Sequence, residues 1–312
     1  MLDAHQLNVF LLAAETLSFT EAARRLHMSQ PSVSQHIQSL ERHFEQPLFA
    51  RLGRHIELTD AGKTLLPLAR DFVKRSIYID ETMQSLQGEV FGHLLVGCST
   101  TPGKYILPYV LARFHSLYPK VTVACQVMPE GQAIKMARDG DIHFVMAGAP
   151  YLSGGSLEFR KYVTDPVVLI APLDHPWAQR DEIESEELYD ADFIFREPES
   201  GTQVAVSAQL AEMGLSQDLL RTLLVLGNSE AIALAVEEGL GVGFISSTIL
   251  NRLVYGRVAR VNVRGMNLER EIYIGRHKRQ PASVAQSAFW EFLIHEKVPN
   301  LFKPIEAQMI EA

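Results

Sequence analysis

At 312 residues, 47% apolar and 21% charged, the chain is long enough for two or three compact units and has the composition of a globular protein. No apolar run approaches the roughly 20 residues a membrane helix needs; the opening "MLDAHQLNVFLLAAE" shows no export signal, and two cysteines are too few for a disulfide scaffold, so a cytoplasmic protein without a membrane partner is expected. The formal net charge is −8, and residues 1–64 carry six Lys/Arg against seven Asp/Glu, which excludes nucleic-acid binding by bulk charge and leaves only binding by placement.

Leu7, Phe10, Leu11 and Ala14 recur at helical spacing and predict a helix over 4–16 capped by Asp3. A second helix starts at Ser18, where Ser18-Phe19-Thr20-Glu21 has the form of a capping box. After the short turn Leu26-His27-Met28, Ser29 caps a third helix that tolerates Pro31 in its first turn. Val33, Ile37, Leu40 and Phe44 form its buried stripe, so Gln30, Pro31, Ser34, Gln35 and Gln38 fall toward the other side. A merely solvated face favours Lys, Glu and Arg, because Ser is a mediocre helix former. Ser and Gln both donate and accept hydrogen bonds, which suits the mixed base edges of a major groove. The pattern predicts a helix-turn-helix whose DNA contacts come from Thr20, Ser29, Gln30, Pro31, Ser32, Ser34, Gln35 and Gln38.

The stretch "EQPLFARLGRHIELTDAG" then reads as a small β-wing, with Gly53 at its turn and Arg51 and Arg54 as candidate phosphate or minor-groove contacts. A long amphipathic helix over 60–88 follows. Leu65, Phe72, Ile79 and Leu86 repeat every seven residues, and Leu68, Ser76 and Met83 supply the second set of an a/d seam. Two such seams bury each other, so a dimer is expected through Leu65, Leu68, Phe72, Ile79, Met83 and Leu86. Pro67 inside this helix is a possible kink point.

From residue 92 strands alternate with helices. "HLLVGCS", "VTVACQV" and "IHFVMAG" form one series, and "PVVLIAP", "ADFIFRE", "LLRTLLVLG" and "GVGFIS" a second, which predicts two mainly parallel, Rossmann-like α/β units. The chain crosses between them near 161–167 and returns near 264–270. Ligands in such sheets gather beyond strand ends against helix N-termini. Those positions read Ser99-Thr100-Thr101-Pro102-Gly103 and Glu199-Ser200-Gly201-Thr202-Gln203, hydroxyl-rich niches for a small anion, although ordinary N-capping uses the same residue types. "GLGVGF" is wrongly spaced for a dinucleotide loop, the histidines form no metal motif and no nucleophile motif is present, so no cofactor, metal or catalytic residue is expected. Cys98 and Cys125, both in predicted strands, read as buried and inert.

Residues 1 to about 90, above all "LNVFLLAAETLSFTEAARRLHMSQPSVSQHIQSLERHFEQPLFARLGRHIELTDAG", resemble the winged helix-turn-helix and linker helix of LysR-type transcriptional regulators, and the domain order extends the resemblance over the whole chain. Gln46 stands where the family very often has Gly, which implies a small backbone adjustment. The resemblance implies a winged helix-turn-helix over 1–60, a dimerising linker over 61–90 and an effector domain over 91–312, similar to periplasmic binding proteins. Its subdomain I takes 91–162 and 269–312, and its subdomain II takes 163–268. An effector cleft would be lined by Ser99, Thr100, Thr101, Ala147, Gly148, Ser200, Thr202, Gln203, Phe244 and Ser246. Implied partners are an inverted-repeat DNA operator, a small-molecule effector, further copies in a homodimer or homotetramer, and RNA polymerase. The first loop and "YILPYVLARFHSLYP" look closest to members governing inorganic carbon, nitrogen or sulfur assimilation. A two-lobed binding protein without a DNA role, or an α/β enzyme with an accessory helical domain, would share the second half alone.

Overall fold

The computed structural model describes residues 1–52, 55–86, 88–148, 155–278 and 282–296, in two units, Met1–Glu89 and Val90–Ala312. In the first unit each short helix starts on the side chain the sequence offers as a cap. Asp3 accepts from the His5 amide at α1 (Ala4–Thr16), Ser18 from the Glu21 amide at α2 (Phe19–Leu26), and Ser29 from the Ser32 amide at α3 (Gln30–Phe44). The capping box closes on one side only. Glu21 binds Arg24 and Arg25 at 2.7 and 3.0 Å, and hydrogen bonds from these two guanidinium groups hold its carboxyl down at about 2. All three helices end in a left-handed residue that is not glycine: Leu17, His27 and Glu45, with φ of 47°, 54° and 54°. The adjustment expected at Gln46 thus falls one residue earlier, and the Gln46 amide donates to the Glu41 carbonyl at 3.1 Å.

Leu7, Phe10, Leu11, Ala22, Ala23, Val33, Ile37 and Leu40 meet in the core of this unit, with Phe44 at its margin. Strands β1 (Phe49–Leu52) and β2 (His55–Leu58) pair antiparallel as the wing; Gly53, Arg54 and the side chain of Arg51 lie outside the described residues. Glu41 anchors the wing, its Oε1 accepting from the Leu48 and Phe49 amides at 2.8 and 3.3 Å. Thr59 caps α4 (Asp60–Ser85) by accepting from the Gly62 amide, and its hydroxyl donates to the Pro47 carbonyl at 2.6 Å. Gly62 has no substitute here, because a Cβ would lie 2.2 Å from the Leu48 carbonyl oxygen. Helix α4 runs unbroken past Pro67. Its first turns join the core through Ala61, Leu65, Leu66, Ala69 and Val73, so Leu65 serves its own unit. Leu68, Phe72, Ile79, Met83 and Leu86 stay 41% to 74% exposed.

In the second unit, nine strands among the described residues form one sheet in the order β4-β3-β5-β11-β6-β9-β7-β8, with β10 beside β6. These are β3 (Gly92–Cys98), β4 (Val121–Val127), β5 (Phe144–Gly148), β6 (Leu157–Ala171), β7 (Asp192–Arg196), β8 (Arg221–Leu226), β9 (Val242–Ser246), β10 (Ala259–Val261) and β11 (Glu269–His277). The sheet is mixed where a mainly parallel one was expected. β3 pairs parallel with β4 and β5, and β7 with β8 and β9, but β6 and β11 pair antiparallel with each other and with β9 and β5. The reason is topological: β6 carries the chain out to the second lobe and β11 brings it back, so adjacent crossings run in opposite directions.

Helix α5 (Leu107–Leu117) follows a π-helical turn, Pro102–Ile106; then come α6 (Glu130–Arg138), α7 (Gly201–Glu212), α8 (Ser229–Glu237), α9 (Ser247–Leu253) and α10 (Val284–His295). Phe114, Phe144, Phe289 and Trp290 centre the first lobe. Phe193, Phe195 and Phe244 fill one face of the second-lobe sheet, and Ile194, Ile232 and Ile245 the other. Both faces are covered, which explains the nearly continuous apolar runs of β7 and β9.

Candidate functional site

On α3 the buried stripe of Val33, Ile37 and Leu40 leaves Gln30, Pro31, Gln35 and Gln38 exposed, with Ser32 and Ser34 half-buried beside them and Thr20 and Ser29 exposed nearby. Ser34 accepts from Gln38 Nε2 at 3.4 Å, and no acceptor for its own proton is found among the described residues. Ser39 belongs to the packing instead, accepting from Gln6 Nε2 on α1 at 3.5 Å. The hydroxyl and amide side chains at the start of α3 both donate and accept hydrogen bonds, as the mixed base edges of a major groove do.

The second unit ends β3 beside β5, with the Ser99-Thr100-Thr101 loop following, and joins the start of α7 to a polar cluster that sequence reading located only in part. Thr101 and Ser200 are buried at helix starts, yet neither side chain caps its helix, so stability of the helix end does not explain them. Ser99 and Thr100 are half-buried. Thr202 accepts from Arg270 Nη1 at 2.8 Å, Arg270 Nε donates to Asp165 Oδ2 at 2.7 Å, and Asp165 Oδ1 accepts from Ser246 at 2.6 Å. Gln203 accepts from the Arg196 amide at 3.0 Å and leaves its Nε2 unpaired. Ala147 and Phe244, expected at the cleft, are core side chains: Ala147 packs with Ala133 and Ile134, and Phe244 on Phe193 with ring centroids 5.9 Å apart. Gly148 contributes its backbone, donating to Glu130 Oε2 at 3.0 Å.

Glu130, Asp165, Arg196 and Arg270 were missed. Their signal in sequence is weak, since each sits in an ordinary strand or at an ordinary helix start. Glu130 is 8% exposed with Oε1 unpaired, and a Cβ on Gly201 would lie 3.5 Å from its other oxygen, so this first-lobe carboxylate stands at the start of α7 in the second lobe. Burial raises its pKa, against smaller lowering effects from the Gly148 amide and the Arg270 charge. The folded state therefore holds this proton more tightly than the unfolded state. The resulting stabilisation is complete below the unfolded value near 4.5 and is lost as pH rises through the higher folded value. Glu130→Gln, which can still accept from the Gly148 amide, is expected to gain on the wild type in melting temperature as pH increases from about 5 to about 8. Parallel melting curves across that range would refute a buried, proton-binding Glu130.

Two cavities lie elsewhere, one of about 100 Å³ by His143, Glu158 and Arg276 and one of about 390 Å³ by Glu182, Arg260 and Asn262. The interlobe cluster is marked by buried donors and acceptors without hydrogen-bond partners among the described residues. Of the two cysteines read as buried, Cys98 is buried, but Cys125 is exposed because β4 is the outer strand of the sheet.

A winged helix-turn-helix joined to a two-lobed α/β domain with unsatisfied polar groups between its lobes defines a sequence-specific DNA-binding regulator controlled by a small molecule. Similarity to known proteins agrees along the whole chain. Residues 4–63 match the profile of the bacterial regulatory helix-turn-helix protein, lysR family, and residues 87–297 that of the LysR substrate binding domain. The RuBisCO operon transcriptional regulator of Acidithiobacillus ferrooxidans is 34% identical, covering 96% of this chain and 97% of that one. The transcriptional activator CmpR of Synechocystis sp. is 31% identical over 95% of this chain and 97% of its own. Full-length CbnR, solved with its target DNA, shares the fold with a TM-score of 0.67 at 20% identity, covering 94% of this chain and 99% of that chain. The CcmR regulatory domain of Synechocystis PCC6803, solved in complex with 2-PG, superposes with a TM-score of 0.58 at 26% identity, covering 65% of this chain and 95% of its own. The chain belongs to the LysR family of transcriptional regulators.

Proposed function

We propose that this regulator is a cytoplasmic homodimer or homotetramer without catalytic activity, which reads an inverted-repeat operator through α3 and the wing and acts on RNA polymerase. Its effector is a small anionic metabolite held between the two lobes. The observation that carries the effector reading is the buried, unpaired set in the interlobe cluster: Gln203 Nε2 as donor, Thr248 and Ser247 hydroxyls, and Glu130 Oε1 as acceptor. Arg270 Nη2 lies near them, in an ion pair with Asp165 Oδ2 at 2.6 Å. Buried polar atoms without partners are costly, and a ligand that supplies an acceptor for Gln203 would recover that cost. Relatives named as regulators of the RuBisCO operon favour the inorganic-carbon branch of the family, and the ligand of the CcmR domain makes 2-PG the first probe.

Two measurements test the reading. Ser34→Ala and Gln35→Ala are each expected to weaken operator binding by about 1–3 kcal/mol per lost base contact while folding survives. Arg51→Ala should reduce affinity for all sequences and flatten its salt dependence. Wild-type footprints from both helix variants would reassign the reading face. For the effector, Thr100→Val should cost about ten- to a hundredfold in affinity for an anionic probe such as 2-PG, with operator occupancy intact. Thr202→Val is a poorer test than the sequence suggests, because it also removes an acceptor of Arg270; Thr202→Ser keeps that acceptor and should bind as the wild type does. Unchanged binding in Thr100→Val would place the ligand elsewhere.

A further inference from the structure

The sulfur atoms of Cys98 and Cys125 lie 3.5 Å apart across β3 and β4. Register makes this contact diagonal: Cys98 stands opposite Val127, and Cys125 opposite Val96, two positions earlier on β3. The environments differ sharply. Cys98 has no exposed surface, and its thiol also points at the Gln126 carbonyl at 3.7 Å; Cys125 is exposed on the outer strand. Cys98 is also the residue directly before the Ser99-Thr100-Thr101 loop. The junction there is tight, since a Cβ on Gly103 would lie 2.7 Å from Cys98 Sγ and 2.6 Å from Val127 Cγ2.

We propose that Cys98 and Cys125 are a reversible modification site, a dithiol that a hydroperoxide converts to a disulfide. The exposed Cys125 thiolate attacks the outer oxygen of the peroxide, breaking the O–O bond; alkoxide or hydroxide leaves, and Cys125 becomes a sulfenic acid. The Cys98 sulfur then attacks Cys125 Sγ, the S–S bond forms, and water departs with the Cys98 proton. The two thiols have lost two electrons, the peroxide has gained them, and a dithiol reductant reverses the change by exchange. The roles follow from the surroundings: a hydrogen bond from Cys98 brings Cys125 down to about 7, whereas the same contact and burial push Cys98 up.

A disulfide requires sulfur atoms about 2 Å apart, so oxidation must draw the two strands together by a backbone movement, given the diagonal register. That movement ends at Cys98, one residue from the loop at the interlobe cluster. Disulfides of this geometrically demanding kind, with one sulfur on an exposed residue, are readily reduced, as a switch in a reducing compartment must be.

The experiment treats the reduced full-length chain with stoichiometric hydrogen peroxide, then counts free thiols and maps peptides. The expected result is loss of both thiols together, a Cys98–Cys125 crosslinked peptide, and full recovery with dithiothreitol. Cys125→Ser should slow thiol oxidation by at least about tenfold, and Cys98→Ser should leave Cys125 as a sulfenic acid trapped by dimedone. Hydrogen exchange at residues 99–103 should differ between the oxidised and reduced forms, a readout independent of any effector. Two thiols still titratable in the folded protein, or a crosslink seen only in denaturant, would overturn the proposal; so would equal rates in the two serine variants.

Discussion

Replacing Phe72 and Ile79 by Asp is expected to convert the protein to a monomer and to lower operator affinity by at least about a hundredfold, the order of gain that linking two binding modules provides. Both side chains stand out from α4, 41% and 58% exposed, in line with Leu68, Met83 and Leu86, while the opposite side of the same helix is used up in the core of its own unit. An apolar row of this length on one helix has little reason to face water, and charge placed in a dry seam has no partner. Sedimentation checks the first half of the expectation and operator titration the second. Folding of the individual unit should survive, because neither residue belongs to its core. A monomer that still binds the full operator tightly would remove the seam from the mechanism.

Breaking the Asp165–Arg270 pair is expected to have the largest effect on stability, about 3–5 kcal/mol for Arg270→Ala. Asp165 is fully buried on β6, its partner on β11 is nearly so, and the two strands are those that pass between the lobes. Removing the guanidinium strands a carboxylate whose other partner among the described residues is the Ser246 hydroxyl, and it frees Thr202 from its contact. Asp165→Ala should cost less than Arg270→Ala, because Arg270 keeps Thr202 and some exposure. The double variant should cost less than the sum of the two, since it leaves no uncompensated charge. Urea denaturation of the three variants measures each quantity. Additive losses, or a loss under about 1 kcal/mol for Arg270→Ala, would show the pair to behave like a surface ion pair.

The same cluster gives the proposed effector response a physical form. Glu130 and Gly148 belong to the first lobe, Gly201 and Thr202 to the second, and Arg270 to a connecting strand. Lys104 and Tyr105, after the first loop, both bind Glu230 at the start of α8 in the second lobe, Tyr105 at 2.6 Å. A ligand bound in this cluster, as proposed, would compete for partners that now join the lobes. It can shift their arrangement only as far as its affinity differs between the two states.

Much of the amino-terminal unit was legible in sequence because its determinants are local. A cap and the amide it serves are two or three residues apart, and the stripe of Val33, Ile37 and Leu40 announces itself by helical spacing. The alternation of strands and helices in the second unit is likewise a pattern along the chain. What spacing could not show is which distant side chains meet. Asp165 and Arg270 are 105 positions apart and are joined by the register of β6 on β11. Cys98 and Cys125 are neighbours through the register of β3 on β4, and only the position of β4 at the sheet edge leaves Cys125 exposed. Ala147 and Phe244 lie in strands that alternation along the chain locates, but the face each side chain takes depends on the layer packed against it. Glu130 looks like any acidic residue at a helix start until the fold brings Gly148 and Gly201 to it. Local free energies write themselves into short-range pattern; register and burial depend on the whole sheet, and so did the chemistry between the lobes.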